Sequence, residues 1–138
     1  MDKPLQYLAL ARKGGMAELG EEPVGGAARA GKAHVILVAA DCGDHTWRRA
    51  KSFAAGTQQQ AVRLDCTKDE MGLATGRTSL AMAAITDAAL ALALMKALPE
   101  PEKYAEPIAV LEEKVQRQKQ RKKEAAAHKK NVRTGKKK

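Results

Sequence analysis

Apolar and polar positions along the chain fall into two rhythms. In residues 2–12, Leu5, Leu8, Ala9 and Arg12 recur at helical spacing, and Gly14-Gly15 closes the run. HVILVAA, residues 34–40, is instead a continuous apolar, β-branched run, the pattern of a strand covered on both faces. QAVRLD (60–65) and LAMAAIT (80–86) predict two further strands, and Leu19 belongs to a very short one. Helices are predicted over 21–30, over Trp47–Ala55 with Asp44 as candidate cap, and after Thr67, whose spacing to Glu70 fits a capping box, as far as Gly76. A last helix of alanine and leucine follows Thr86 or Asp87 and stops before Pro99. Strand and helix alternate, which predicts an α/β layered domain with a mixed or parallel sheet.

One of these segments sits uneasily. LGEEPVGGAARAGK, residues 19–32, carries Pro23 and the adjacent Gly25 and Gly26. Pro23 is tolerable in a first turn, which has no intrahelical N–H bonds to lose. Each glycine costs a helix ~1 kcal/mol relative to alanine. Either the helix is poor, or something approaches its backbone closely.

The chain divides as a domain over 1–98, a proline-punctuated linker PEPEKYAEP at 99–107, and a tail over 108–138. Ile108, Leu111 and Val115 supply one docking stripe; beyond them the tail has no large apolar residue except Val132 and cannot build a core. Charge follows the same division. Residues 1–110 hold 13 Lys/Arg against 13 Asp/Glu, whereas 111–138 hold 12 against 3, so the net +9 sits entirely at the end. Such a concentration favours a polyanion, nucleic acid before anionic membrane. Arg117, Lys119, Arg121, Lys122, Lys123, Lys129, Lys130 and Arg133 are the candidate phosphate contacts; a solvated, solubilising helix is the plainer alternative. Without an aromatic to stack on bases, the tail carries no sequence readout.

Other chemistries find little footing. AMAAITDAALALALMKAL is interrupted by Asp87 and Lys96 and reads as a buried helix rather than a membrane span. Cys42 and Cys66, with no secretory pattern in the opening residues, indicate reduced thiols in the cytoplasm. His34, His45 and His128 are scattered, so no metal site is expected. GGAARAGK at 25–32 lacks the preceding strand and the Ser/Thr after lysine that a phosphate loop needs. With no acid/base or nucleophile constellation, no enzyme and no cofactor are expected. Trp47 suits either a core or an unstacked base.

GEEPVGGAARAGKAHVILVAAD and TKDEMGLATGRTSLAMAAITD, taken in order and spacing, resemble the kink-turn-binding ribosomal protein superfamily of the L-seven-Ae and L-thirty-e type, over about residues 4–98 and nearest to its small bacterial members. The resemblance implies a three-layer α/β/α sandwich around a four-stranded mixed sheet. It further implies recognition of sharply bent RNA, ribosomal RNA first, by a monomer with ribosomal proteins as possible neighbours. Gly20, Glu21 and Glu22 would enter the bent groove, Arg77, Thr78 and Ser79 would form a second contact loop, and Lys68 and Trp47 match positions near RNA in relatives. Lys32 is the lysine of the Gly-Lys step before the apolar strand. The pattern departs at two places. The usual Asn-Glu pair aligns with Glu22 and Pro23, and the usual phosphate lysine aligns with Gly26, for which Arg29 could substitute one turn on. A protein-interaction adaptor on the same fold is the alternative use of so altered a helix.

Overall fold

The structure is a computed structural model that describes residues 2–133, with side chains described as far as residue 127. Lys129, Lys130 and Arg133 therefore lie outside the described side chains, as does His128.

The element order is α1 (Lys3–Lys13), β1 (Ala17–Leu19), α2 (Glu21–Arg29), β2 (Val35–Val38), α3 (Asp44–Ala54), β3 (Gln60–Arg63), α4 (Lys68–Thr75), β4 (Met82–Ile85), α5 (Ala88–Lys96), a 3-10 turn (Pro101–Tyr104) and α6 (Ala105–Arg133). The sheet order is β1-β4-β2-β3. β2 and β3 are parallel, with Val35 opposite Gln60; β4 runs antiparallel to both β2 and β1. The sheet is thus the four-stranded mixed one, sandwiched between helical layers.

The apolar runs become the two central strands for the reason their composition gives. Every residue of β2 and β4 is buried. Alternation then sorts them by face. Val35, Leu37, Ala83 and Ile85 join Leu5, Leu8, Met71 and Leu94, while Ile36, Val38, Met82 and Ala84 join Val24, Ala28 and Ala50. One layer is α2 and α3; the other is α1, α4 and α5, with α6 packed on α5. β3 at the edge is less covered, with Val62 buried and Arg63 exposed.

Local signals mostly act as read. Thr67 Oγ1 accepts from Glu70 N at 3.1 Å and Glu70 Oε1 accepts from Thr67 N at 3.0 Å, completing the capping box. Gly76 ends α4 in the left-handed region. Asp87, not Thr86, caps α5 by accepting from Leu90 N at 3.0 Å. Asp44 lies inside the first turn of α3, after Gly43 as N-cap, where a carboxylate still meets the positive end of the helix.

Residues 99–107, read as a linker, contain the 3-10 turn and the start of α6. Leu111 and Val115 are buried, Ile108 packs against the larger core, and Lys96 pairs with Glu112 at 3.3 Å, so α6 is docked at its base. From Gln116 to Ala127 every side chain is exposed. The basic extension is helical through Arg133.

Candidate functional site

The carboxyl end of β2 gathers the pieces of the best-built site. Gly20 N donates to Met82 O at 2.9 Å, which ties the turn after β1 to the start of β4. Its backbone, φ 101° and ψ 158°, lies where only glycine sits without strain, and the chain swings from strand to helix there. Val24 N then bonds Gly20 O at 3.0 Å and α2 begins with Glu21 and Glu22, whose charge suits a helix N-terminus.

The loop before β4 closes against this turn. Arg77 N donates to Gly72 O at 2.8 Å and Leu80 N to Lys68 O at 3.0 Å, so the loop folds back along α4. Gly72 permits this. A Cβ there would stand 2.7 Å from Arg77 O and 2.8 Å from Ser79 N, both backbone atoms that cannot yield. Lys68 N donates to Asp41 Oδ1 at 2.8 Å, bringing the end of β2 and the start of α4 together. Arg77 Nη1 comes to 4.0 Å from the position a Cβ on Gly20 would take, and Arg12 Nη2 to 3.3 Å from that on Gly76. Arg77, Thr78 and Ser79 are exposed.

The structure therefore brings Gly20, Glu21, Glu22, Lys68, Arg77, Thr78 and Ser79 to one end of the sheet. Guanidinium and hydroxyl donors lie beside carboxylate acceptors, a combination that can address phosphate and the donor edge of a base together. Arg49 Nε lies 3.6 Å from the Glu21 carboxylate, an ion pair between two half-exposed side chains. Arg49 also stacks on Phe53, 5.3 Å from its ring centroid.

Phe53 explains half of the glycine pair. A Cβ on Gly25 would meet Phe53 Cζ at 3.0 Å, so Gly25 is a packing glycine between α2 and α3. Gly26 is different: it is exposed and a Cβ there would meet nothing within 4 Å. The close approach expected at this helix is a side chain of the protein itself at Gly25 and open surface at Gly26. Arg29 folds back, its Nη1 at 3.5 Å from the Gly25 Cβ position.

Arg29 and Lys32 lie elsewhere, and Trp47 flanks this end of the sheet at its β3 edge, against Arg63, the register partner of Val38. Eight rises of α2, about 12 Å, separate Arg29 from Glu21. Lys32 follows in the turn into β2, which Gln59 fixes by donating to Ala28 O at 3.1 Å and accepting from Ala33 N at 2.9 Å. Next to it His34 has its imidazole pKa lowered by burial and by the charge of Lys114, against a smaller opposite pull from Asp87. His34 Nδ1 is buried without a hydrogen-bond partner. Trp47 faces the corner of α3 and β3, where Lys51 and Arg63 stand 5.4 and 5.0 Å from its ring.

Sequence reasoning missed Arg49, Arg12 and Gly72. Only the fold brings the two arginines to the site. A glycine inside a helix that begins with a capping box was a usable signal, because such a glycine requires a packing reason. Both cysteines are free. Burial, then Asp2, pushes the Cys66 thiol up to about 11. Among the described residues no three His, Cys, Asp or Glu side chains converge as a metal site, and no helix is long and apolar enough to cross a membrane.

No family model and no curated protein matches the chain by sequence. Solved structures do match by shape. A protein of unknown function from Bacillus halodurans aligns with TM-score 0.65 and 23% identity over 70% of this chain and 96% of its own. The Giardia lamblia 15.5 kD RNA binding protein aligns with TM-score 0.58 and 17% identity over 78% of this chain and 83% of its own. At these identities the likeness speaks for the fold.

Proposed function

We propose that this chain is a non-catalytic RNA-binding protein that reads bent, kink-turn-like RNA at the carboxyl end of β2 and gains phosphate affinity through α6. Ribosomal RNA is the first candidate ligand. The observation that carries the reading is the meeting of Gly20 and Arg77. A helix start that only glycine can build lies against a loop that offers one guanidinium and two hydroxyls. The first turn of α2 leaves backbone N–H groups for phosphate, and the glycine lets a ribose or base approach its backbone. Glu22 is exposed and accepts from base N–H donors. The shared fold with the Giardia lamblia RNA binding protein supports the same class of ligand.

Two features set its affinity apart from that of a protein with a lysine at position 26. Gly26 supplies no charge, and the exposed carboxylate of Glu22 repels phosphate. The shape-reading end is therefore weak in electrostatics, and the cations of α6 compensate without specifying sequence.

Titration of a labelled kink-turn RNA and a straight duplex of equal length tests the reading. Arg77→Ala weakens the bent RNA selectively. Equal losses on both RNAs contradict shape reading. A pull-down that keeps one dominant protein after nuclease treatment would favour the adaptor alternative.

A further inference from the structure

The two basic features of this chain lie at opposite ends of the sheet. Gly20, Asp41, Lys68 and Arg77 surround the carboxyl end of β2, where Ala39 N bonds Ala81 O. The amino end of β2 is another place. There His34 N bonds Ile85 O, Thr86 N bonds Met16 O, and Arg29 and Lys32 close α2. β2 itself keeps the two ends about 10 Å apart, before the loops at either end are added.

α6 travels from one end towards the other. It starts after α5 ends, its Glu112 pairs with Lys96, and one half-turn later Lys114 lies close enough to His34 to depress the imidazole. The helix continues to Arg133, about 28 Å beyond Lys114, and its side chains are exposed from Gln116 to Ala127. Its docking stripe does not simply stop. Lys122 lies eleven residues after Leu111 and seven after Val115, within about 20° of both on the helix wheel. The face that is apolar where the body covers it is cationic where nothing of the body does. Six cations, Lys114, Arg117, Lys119, Arg121, Lys122 and Lys123, fall within about 14 Å of helix. The acids interspersed among them are engaged: Glu113 holds Arg117, and Glu124 accepts from Gln120 at 3.2 Å.

We propose that the exposed shaft of α6 is a second and separate contact for a nucleic-acid backbone, so that one copy of the chain bridges two RNA segments. The proposal rests on the RNA-binding reading and adds that the arm engages a different segment from the one at Gly20 and Arg77. Charge complementarity and the direction of α6 select the occupant, a double-helical phosphate backbone. Such a backbone needs no sequence readout, and the shaft offers none. The two contacts raise each other's effective concentration when the segments belong to one RNA.

A bridging assay on the full chain tests this. A biotinylated kink-turn RNA is held on beads and a fluorescent straight duplex is offered in solution at moderate salt. The chain retains the duplex on the beads, and light scattering of the soluble complex gives one protein with two RNAs. Lys119→Glu, Arg121→Glu, Lys122→Glu and Lys123→Glu together reduce duplex retention at least about tenfold. All four side chains are exposed, so circular dichroism of the variant stays unchanged. Its preference for kink-turn over duplex is retained. Arg77→Ala gives the converse, releasing the kink-turn and keeping duplex binding. One-for-one competition between the two RNAs, two proteins per bridged complex, or displacement of duplex by phosphatidylserine vesicles at equal phosphate overturns the proposal. Loss of bent-RNA preference with duplex-to-duplex bridging intact would instead overturn the shape-reading function and leave the second contact standing.

Discussion

Both ends of β2 carry basic residues, but they are built differently. At the carboxyl end, backbone hydrogen bonds fix the surface. Gly20 is tied to Met82, Arg77 to Gly72 and Leu80 to Lys68, and Asp41 holds the backbone of Lys68. At the amino end the cations stand on a turn and on a helix whose shaft is exposed from Gln116 to Ala127. One surface has a shape before any ligand arrives; the other has charge and reach. Pre-formed shape gives selectivity, whereas an array of cations gives affinity that falls with salt.

The sharpest way to break the carboxyl end is Gly72→Ala. The new Cβ would meet backbone at 2.7–2.9 Å, so the loop 76–81 must shift. A cost of about 2–3 kcal/mol is expected, visible as a fall of several degrees in thermal melting, together with loss of bent-RNA preference. Gly20→Ala follows at ~1–3 kcal/mol, because its φ of 101° and ψ of 158° strain any side chain. Gly26→Ala moves the other way. Nothing lies within 4 Å of its Cβ position, and melting should rise by the equivalent of ~0.5–1 kcal/mol. Gly26→Lys adds a charge at the same open position and should tighten RNA binding.

The amino end answers to capping and to pH. Asp87→Ala removes the cap on Leu90 N and costs ~1 kcal/mol in chemical denaturation, with bent-RNA preference retained. His34 has a folded pKa below its ordinary 6.5, so the unfolded chain takes up the proton first as pH falls. Its contribution is complete above 6.5 and declines below it. Stability measured from about pH 7.5 to 5 should fall less steeply in His34→Gln. The smallest effect is chemical: Cys42, half-buried, should react with maleimide well before Cys66, which is buried with its thiol pushed up to about 11.

Much of the frame was legible because each signal was local. A continuous apolar run gave β2 and β4, Thr67 and Glu70 gave the start of α4, and Gly76 gave its end. The site was legible only in part. Glu21, Glu22 and Arg77 could be named from spacing and resemblance, but nothing local says that Arg49 will pair with Glu21 across two helices. The glycine pair shows the same limit. Gly25 and Gly26 look alike in the sequence, yet one sits beneath Phe53 and the other faces solvent, and only packing distinguishes them. Residues 99–107 read as a linker because prolines punctuate them, but a proline early in a helix is compatible with it, and α6 begins at Ala105.

A salt series decides between one blended surface and two distinct ones. Affinities of bent and straight RNA are measured from low to high salt for the full chain, for Arg77→Ala, and for the chain with Lys119, Arg121, Lys122 and Lys123 changed to Gln. Arg77→Ala should collapse the ratio of bent to straight affinity and change the log–log salt slope by no more than ~0.9, one phosphate's worth. The Gln variant should lower that slope by up to ~0.9 for each phosphate it no longer neutralises and keep the ratio. A ratio that survives Arg77→Ala but disappears with the four glutamines would contradict two distinct surfaces.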